Sequence, residues 1–195
     1  DKKREQPASH TMALKANKNI NLCAACDTDL QALELWHKYN RKSNVYTDCD
    51  SLFAKETKRL KRKLDIVVIA VNESSHLQIT LKAIEYEPKL IILEKPVALN
   101  VKDAQIIQNK CKKHNVKILI NHERRFALDY NFAKILLKKI GTIQSVTAKL
   151  YSGLRVYCEQ EEQSGLYSLL HDGTHLVDIV HFLLSDTQKC ELIQD

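Results

Sequence analysis

The chain has 195 residues, 44% of them hydrophobic, enough for one domain or for one domain plus part of another. Its net charge of +6 is scattered among acidic residues and only 6% of residues are aromatic, which argues against a nucleic-acid surface. No apolar run approaches the ~18–20 residues that cross a bilayer, and the opening DKKREQPASH has no apolar core behind it, so a soluble cytoplasmic protein without a signal peptide is expected.

Residues 6–16 read as the tail of a helix. Short apolar runs then appear at INLCAAC (20–26), DIVVIAV (65–71), KLIILEK (89–95) and VKILIN (116–121). Three of them are continuous and rich in Ile, Val or Leu, as strands buried on both faces are. Between the runs lie segments with helical spacing, such as Leu30, Leu33, Trp36 and His37, or Val101, Ala104, Ile107 and Cys111. Strand and helix in strict alternation predict parallel strands joined by crossover helices, hence an α/β fold with a doubly wound, Rossmann-type sheet. The densest basic cluster, KRLKRK (58–63), precedes one strand and reads as a solvated helix end.

After residue 121 the pattern changes. A helical stretch (about 128–139) leads through Gly141 into TIQSVTAKLY, where Val146, Ala148 and Leu150 alternate with polar residues. That period of two predicts a strand with one face in solvent, as in antiparallel sheets. A polar loop, CEQEEQSG, and a helix from about Leu166 to Leu184 follow. Residues 1–121 therefore read as a nucleotide-binding domain, and 122–195 as the start of an α+β domain with a mainly antiparallel sheet.

Cysteines stand at positions 23, 26, 49, 111, 158 and 190. Cys23 and Cys26 form one C-x-x-C pair, and no second close pair completes a zinc knot. Buried thiols of a reduced protein are the expectation. The four glycines, at 141, 153, 165 and 173, all lie outside the parallel-sheet half. A dinucleotide site of this fold carries G-x-G-x-x-G at its first strand-to-helix turn, where backbone amides reach the pyrophosphate. The acidic residue for the ribose hydroxyls follows about 20 residues later, at the end of the second strand. Asp27, ending INLCAAC, fits that acidic position. The glycine turn and the first strand are accordingly expected upstream of this sequence.

Five ordered segments carry a family resemblance. IILEKPVALNVKDAQ (91–105) resembles the Glu-Lys-Pro signature of the Gfo/Idh/MocA oxidoreductases, the glucose–fructose oxidoreductase and inositol dehydrogenase group. CDTD (26–29), AVNESSH (70–76), NHERRF (121–126) and GLYSLLHDGTHLVD (165–178) resemble further segments of that family, in family order. The resemblance implies a Rossmann domain followed by a C-terminal α/β domain with an open sheet, often used for homo-oligomers. It implies hydride transfer between NAD(P) and a sugar, cyclitol or related alcohol, with NAD the expected cofactor and NADP the alternative. The C-terminal domain is expected to be incomplete here. A non-catalytic relative that binds a nucleotide or a partner protein is the second reading.

The resemblance also assigns residues. Lys95, between Glu94 and Pro96, would contact the reacting hydroxyl and the nicotinamide ribose, where a cation stabilises alkoxide character. The family's Lys–Pro bond is commonly cis, and the same is expected of Lys95–Pro96. Asn72 and His76 would line the cofactor edge, with His76, Ser74 or Ser75 capping the next helix. Of Arg124 and Arg125, the second is the better candidate to face the nicotinamide or substrate. His175 aligns with the family's acid–base histidine, and an imidazole can take the proton released when an alcohol is oxidised. The family usually places an aspartate four residues earlier, where this chain has His171; Asp172 would substitute only if the helix register shifted by one residue. His171, His175 and Asp178 also share one helical face at i, i+4 and i+7. No glutamate intervenes as in H-E-x-x-H, and no metal is expected.

Overall fold

The computed structural model describes residues 9–151 and 168–185. The first helix, α1 (His10–Ala16), begins at Ser9, whose hydroxyl accepts the Met12 N–H. Strand and helix then alternate: β1 (Ala24–Cys26), α2 (Leu30–Tyr39), β2 (Asn44–Tyr46), α3 (Cys49–Leu60), β3 (Ile66–Ile69), α4 (His76–Glu85), β4 (Leu90–Leu93), α5 (Val101–His114) and β5 (Lys117–Ile120). Polar residues mark the helix starts. Asp29, Asp48 and Asn100 each accept backbone N–H groups at the N-termini of α2, α3 and α5, satisfying donors that a helix end leaves without partners. Past β5, a 3₁₀ turn (Glu123–Phe126) leads into α6 (Leu128–Leu137); a π-helical turn (Leu169–Gly173) opens α7 (Thr174–Leu184).

Every observed strand pair is parallel. β1 pairs with β2, while β4 lies between β3 and β5. The two groups of strands are not hydrogen-bonded to each other. A cavity of about 270 Å³ lies between the approach to β1 (Asn19–Ala24) and β3 with its approach, with Leu14 and Leu60 also lining it. The core sits under β4: Ile69, Ala83, Ile84, Ile91, Leu93 and Ile107 are all at most 2% exposed. Burying each of the large side chains contributes about 1.5–3 kcal/mol, and truncating Ile91 or Leu93 would therefore be severe.

The Rossmann-type α/β class is as the alternation implied. Three particulars differ. β2 was not visible as an apolar run, because only Val45 of its three residues is aliphatic; its neighbours instead hold the buried Glu56 of α3. Asn44 Nδ2 and Tyr46 Oη donate to Glu56 Oε1 at 2.6 and 2.7 Å, and Arg59 donates to Oε2. Next, the strand expected within TIQSVTAKLY does not form: residues 141–151 carry no regular secondary structure. A period of two describes a face, and the face becomes a strand only when a neighbour supplies its hydrogen bonds. Lastly, Cys23 and Cys26 are only half-buried, and Cys111 alone among the described cysteines is fully buried. Cys158 and Cys190 lie outside the described residues. Burial first, then the negative charge of Glu56, pushes the Cys23 thiol up. Burial followed by nearby Cys49, Asp48 and Asp27 pushes Cys26 to about 11, and neither is an activated thiolate.

The basic cluster is a helix end as expected. Lys61 closes α3 in the left-handed conformation. Arg59 pairs with Glu56, Arg62 with Asp65 and Lys63 with Glu87.

Candidate functional site

Parallel strands end on a common edge, and ligands of such sheets bind outside their carboxyl ends. Asp27 stands in solvent just past β1, its backbone held by Tyr46 O and its Oδ1 accepting the Asp29 N–H at 3.0 Å. Asn72 is exposed beyond β3. Glu94, Lys95 and Pro96 follow β4, and Asn121 to Arg125 follow β5.

Glu94 gathers three elements. Its Oε1 accepts from His10 Nε2 of α1 and from Asn121 Nδ2 beyond β5, both at 2.7 Å, and its Oε2 accepts the Lys95 N–H at 3.3 Å. Burial pushes this carboxyl up, but the hydrogen bonds from His10 and Asn121 outweigh it and hold the pKa at about 2. Glu94 is thus an anion that fixes the backbone from which Lys95 projects. Sequence reasoning gave neither His10 nor Asn121 a role, although Asn121 opens the NHERRF segment.

His76 is 1% exposed. Its Nδ1 lies 2.7 Å from Pro96 O and its Nε2 3.1 Å from Val71 O. Both partners are carbonyl oxygens, which only accept, and the shorter contact marks Nδ1–H as the donor to Pro96 O. His76 therefore acts on the turn behind Lys95 and does not line the cleft. Nor do the expected caps form: α4 starts at Ser75 without a side-chain cap.

The Lys95–Pro96 bond is cis, as the resemblance implied. Lys95 Nζ donates to His171 O at 2.9 Å and lies 3.2 Å from His171 Nδ1. An ammonium has three N–H donors, so one is left for an oxygen in the cleft. His171 thus meets Lys95, whereas the resemblance put position 171 beside His175. The π-helical turn at Leu169–Gly173 explains the difference. Its hydrogen bonds skip five residues in place of four, which breaks the expected stacking of 171 on 175. The Asp172 side chain makes no hydrogen bond or ion pair among the described residues and does not replace the missing carboxylate.

His175 is 6% exposed. Its Nδ1 is sealed from solvent with no hydrogen-bond partner among the described residues, and its Nε2 lies 3.8 Å from Glu123 Oε1. The His122 ring stands edge-on to it at 6.0 Å. Burial lowers the His175 pKa; Lys95, Arg124 and His122 lower it further, against an opposing pull from Glu123. The imidazole is thereby kept neutral and able to accept a proton. Arg125 is otherwise engaged: its Nε and Nη2 grip both oxygens of Asp178 at 2.7 and 2.6 Å. The Arg124 side chain makes no hydrogen bond or ion pair among the described residues, and its charge falls on His175. The described residues hold no group of three His, Cys, Asp or Glu able to bind a metal, and no helix among them is long and apolar enough to cross a membrane.

The chain is thus a Rossmann-type sheet with Asp27 and Lys95 past the carboxyl ends of β1 and β4, and with His175 on α7. Residues 7–122, more than half of the chain, match the family described as "Oxidoreductase family, NAD-binding Rossmann fold", and the chain belongs to this Gfo/Idh/MocA family. It is 38% identical over 89 residues to Oxidoreductase P35 of Formosa agariphila, covering 45% of this chain and 27% of that protein. It is 24% identical over 172 residues to the inositol 2-dehydrogenase/D-chiro-inositol 3-dehydrogenase of Lactiplantibacillus plantarum, covering 86% of this chain and 46% of the relative. The fold is similar to an oxidoreductase of Agrobacterium radiobacter solved with NAD+, L-tartaric acid and magnesium, with TM-score 0.71 and 24% identity over 89% of this chain and 50% of that one. The chain spans about half the length of these relatives, or less.

Proposed function

We propose that the chain forms the cofactor half and part of the substrate site of an NAD(P)-dependent oxidoreductase acting on a sugar, cyclitol or related alcohol. The observation that carries this reading is the meeting of Lys95 with the π-turn of α7, beside His175, whose pKa is lowered by burial first and then by Lys95 and Arg124. The inositol dehydrogenase relative supports the substrate class.

The residues present suit a dinucleotide. Asp27 offers a solvent-facing carboxylate at the end of β1, with no hydrogen bond to its Oδ2 among the described residues, which fits a ribose diol and disfavours a 2′-phosphate. Asn72 flanks the same edge; Glu94 and Pro96 set the backbone that presents Lys95 to the nicotinamide end. When bound, NAD supplies the hydride acceptor. Lys95 donates its remaining N–H to the substrate oxygen and stabilises the negative charge that grows there. His175 takes the hydroxyl proton at Nε2, the ring nitrogen on its open side. Its lowered pKa leaves it unprotonated near neutral pH, as a general base must be. His171, by holding Lys95, positions that ammonium. Homo-oligomerisation through the second domain accompanies this reading.

Alcohol-dependent reduction of NAD+ by the complete protein, read by NADH absorbance across inositols and hexoses, tests the proposal. Turnover of at least one polyol is expected. NADH binding without oxidation of any of them would favour the regulatory relative.

A further inference from the structure

In the family pattern His175 would be served by a carboxylate four residues earlier, but His171 is turned to Lys95 and the Asp172 side chain has no partner among the described residues. We infer that Glu123, on the turn after β5, is the positioning residue that steadies the protonated His175 and passes its proton to solvent. This rests on the acid–base reading of His175 above.

The geometry is specific to the two nitrogens. Nδ1 is sealed from solvent and has no partner among the described residues, so it does not face water directly. Nε2 faces the Glu123 carboxylate at 3.8 Å, and that side chain is 59% exposed while the histidine's is 7% exposed. Glu123 therefore joins a buried base to bulk solvent across a gap that a side-chain rotation or one bridging water closes. The other groups facing His175 are Lys95 beyond β4, Arg124 on the same turn as Glu123, and His122 at the end of β5. On its own helix, Asp178 is gripped by Arg125, and His122 Nε2 lies 3.9 Å from Asp178 Oδ1. Lys95, Arg124 and His122 oppose a positive imidazole, and Glu123 is the group that favours one.

The proton balance is simple. The substrate hydroxyl proton moves to Nε2 as the O–H bond breaks, leaving an imidazolium. Nε2–H then gives the proton to the Glu123 carboxylate, which releases it to water; both side chains return to their starting charge.

NMR titration of the His175 ring nitrogens in the chain tests the pairing. Glu123→Gln should lower the His175 midpoint by about half a unit or more, and Glu123→Asp should recover part of that loss. In the complete protein with NAD+ and myo-inositol as probes, Glu123→Gln should also move the acid limb of kcat/KM to lower pH. A Glu123→Gln midpoint equal to that of the parent overturns the inference. Full turnover in His175→Asn, with the Glu123→Gln titration still shifted, would leave the pairing standing and remove the acid–base reading on which the relay rests.

Discussion

At Glu94, burial and hydrogen bonding pull the same carboxyl in opposite directions, and the hydrogen bonds win. The folded-state pKa of about 2 lies below the ordinary 4.5. The stabilisation is therefore complete above about pH 4.5 and is lost as pH falls from there through 2. Thermal melts across that window should show an acid limb in the parent that is flatter in Glu94→Gln; equal slopes would show that the His10–Glu94–Asn121 contacts contribute nothing. Only part of this was legible in the sequence. Glu94, Lys95 and Pro96 announce themselves as a tripeptide. His10 and Asn121 reach Glu94 from 84 and 27 residues away, and such contacts leave no local pattern. The same holds for Glu123, which lies in the NHERRF segment without an assigned role.

The elements most accurately foreseen are those whose burial is repetitive. β3, β4 and β5 lie inside long aliphatic runs, and α5 buries Ile107 and Cys111 at the expected spacing. β2 was invisible because side-chain hydrogen bonds to Glu56 anchor it. The start of α7 also escaped, since a π-turn follows from packing and changes which residues share a face. A polar clamp joins α7 to the turn after β5. Arg125 holds Asp178 with two hydrogen bonds, and the Asp178 side chain is 11% exposed. Asp178→Asn should cost about 2 kcal/mol of stability and loosen α7 from the turn after β5, checked by urea unfolding and by hydrogen exchange in residues 174–184. Unchanged exchange there would show that α6 and the core alone hold the helix.

At the scale of the whole molecule, two sets of parallel strands flank a cavity between the approach to β1 and β3. The central claim is that the carboxyl edge of this sheet performs hydride chemistry with Lys95 as its cation. It is tested most directly by single-turnover hydride transfer in the complete protein carrying Lys95→Ala, with NADH affinity measured in parallel. The account predicts a fall of roughly 10²–10³ in the transfer rate with affinity held within about threefold. An unchanged transfer rate would remove Lys95 from the reaction and contradict the account.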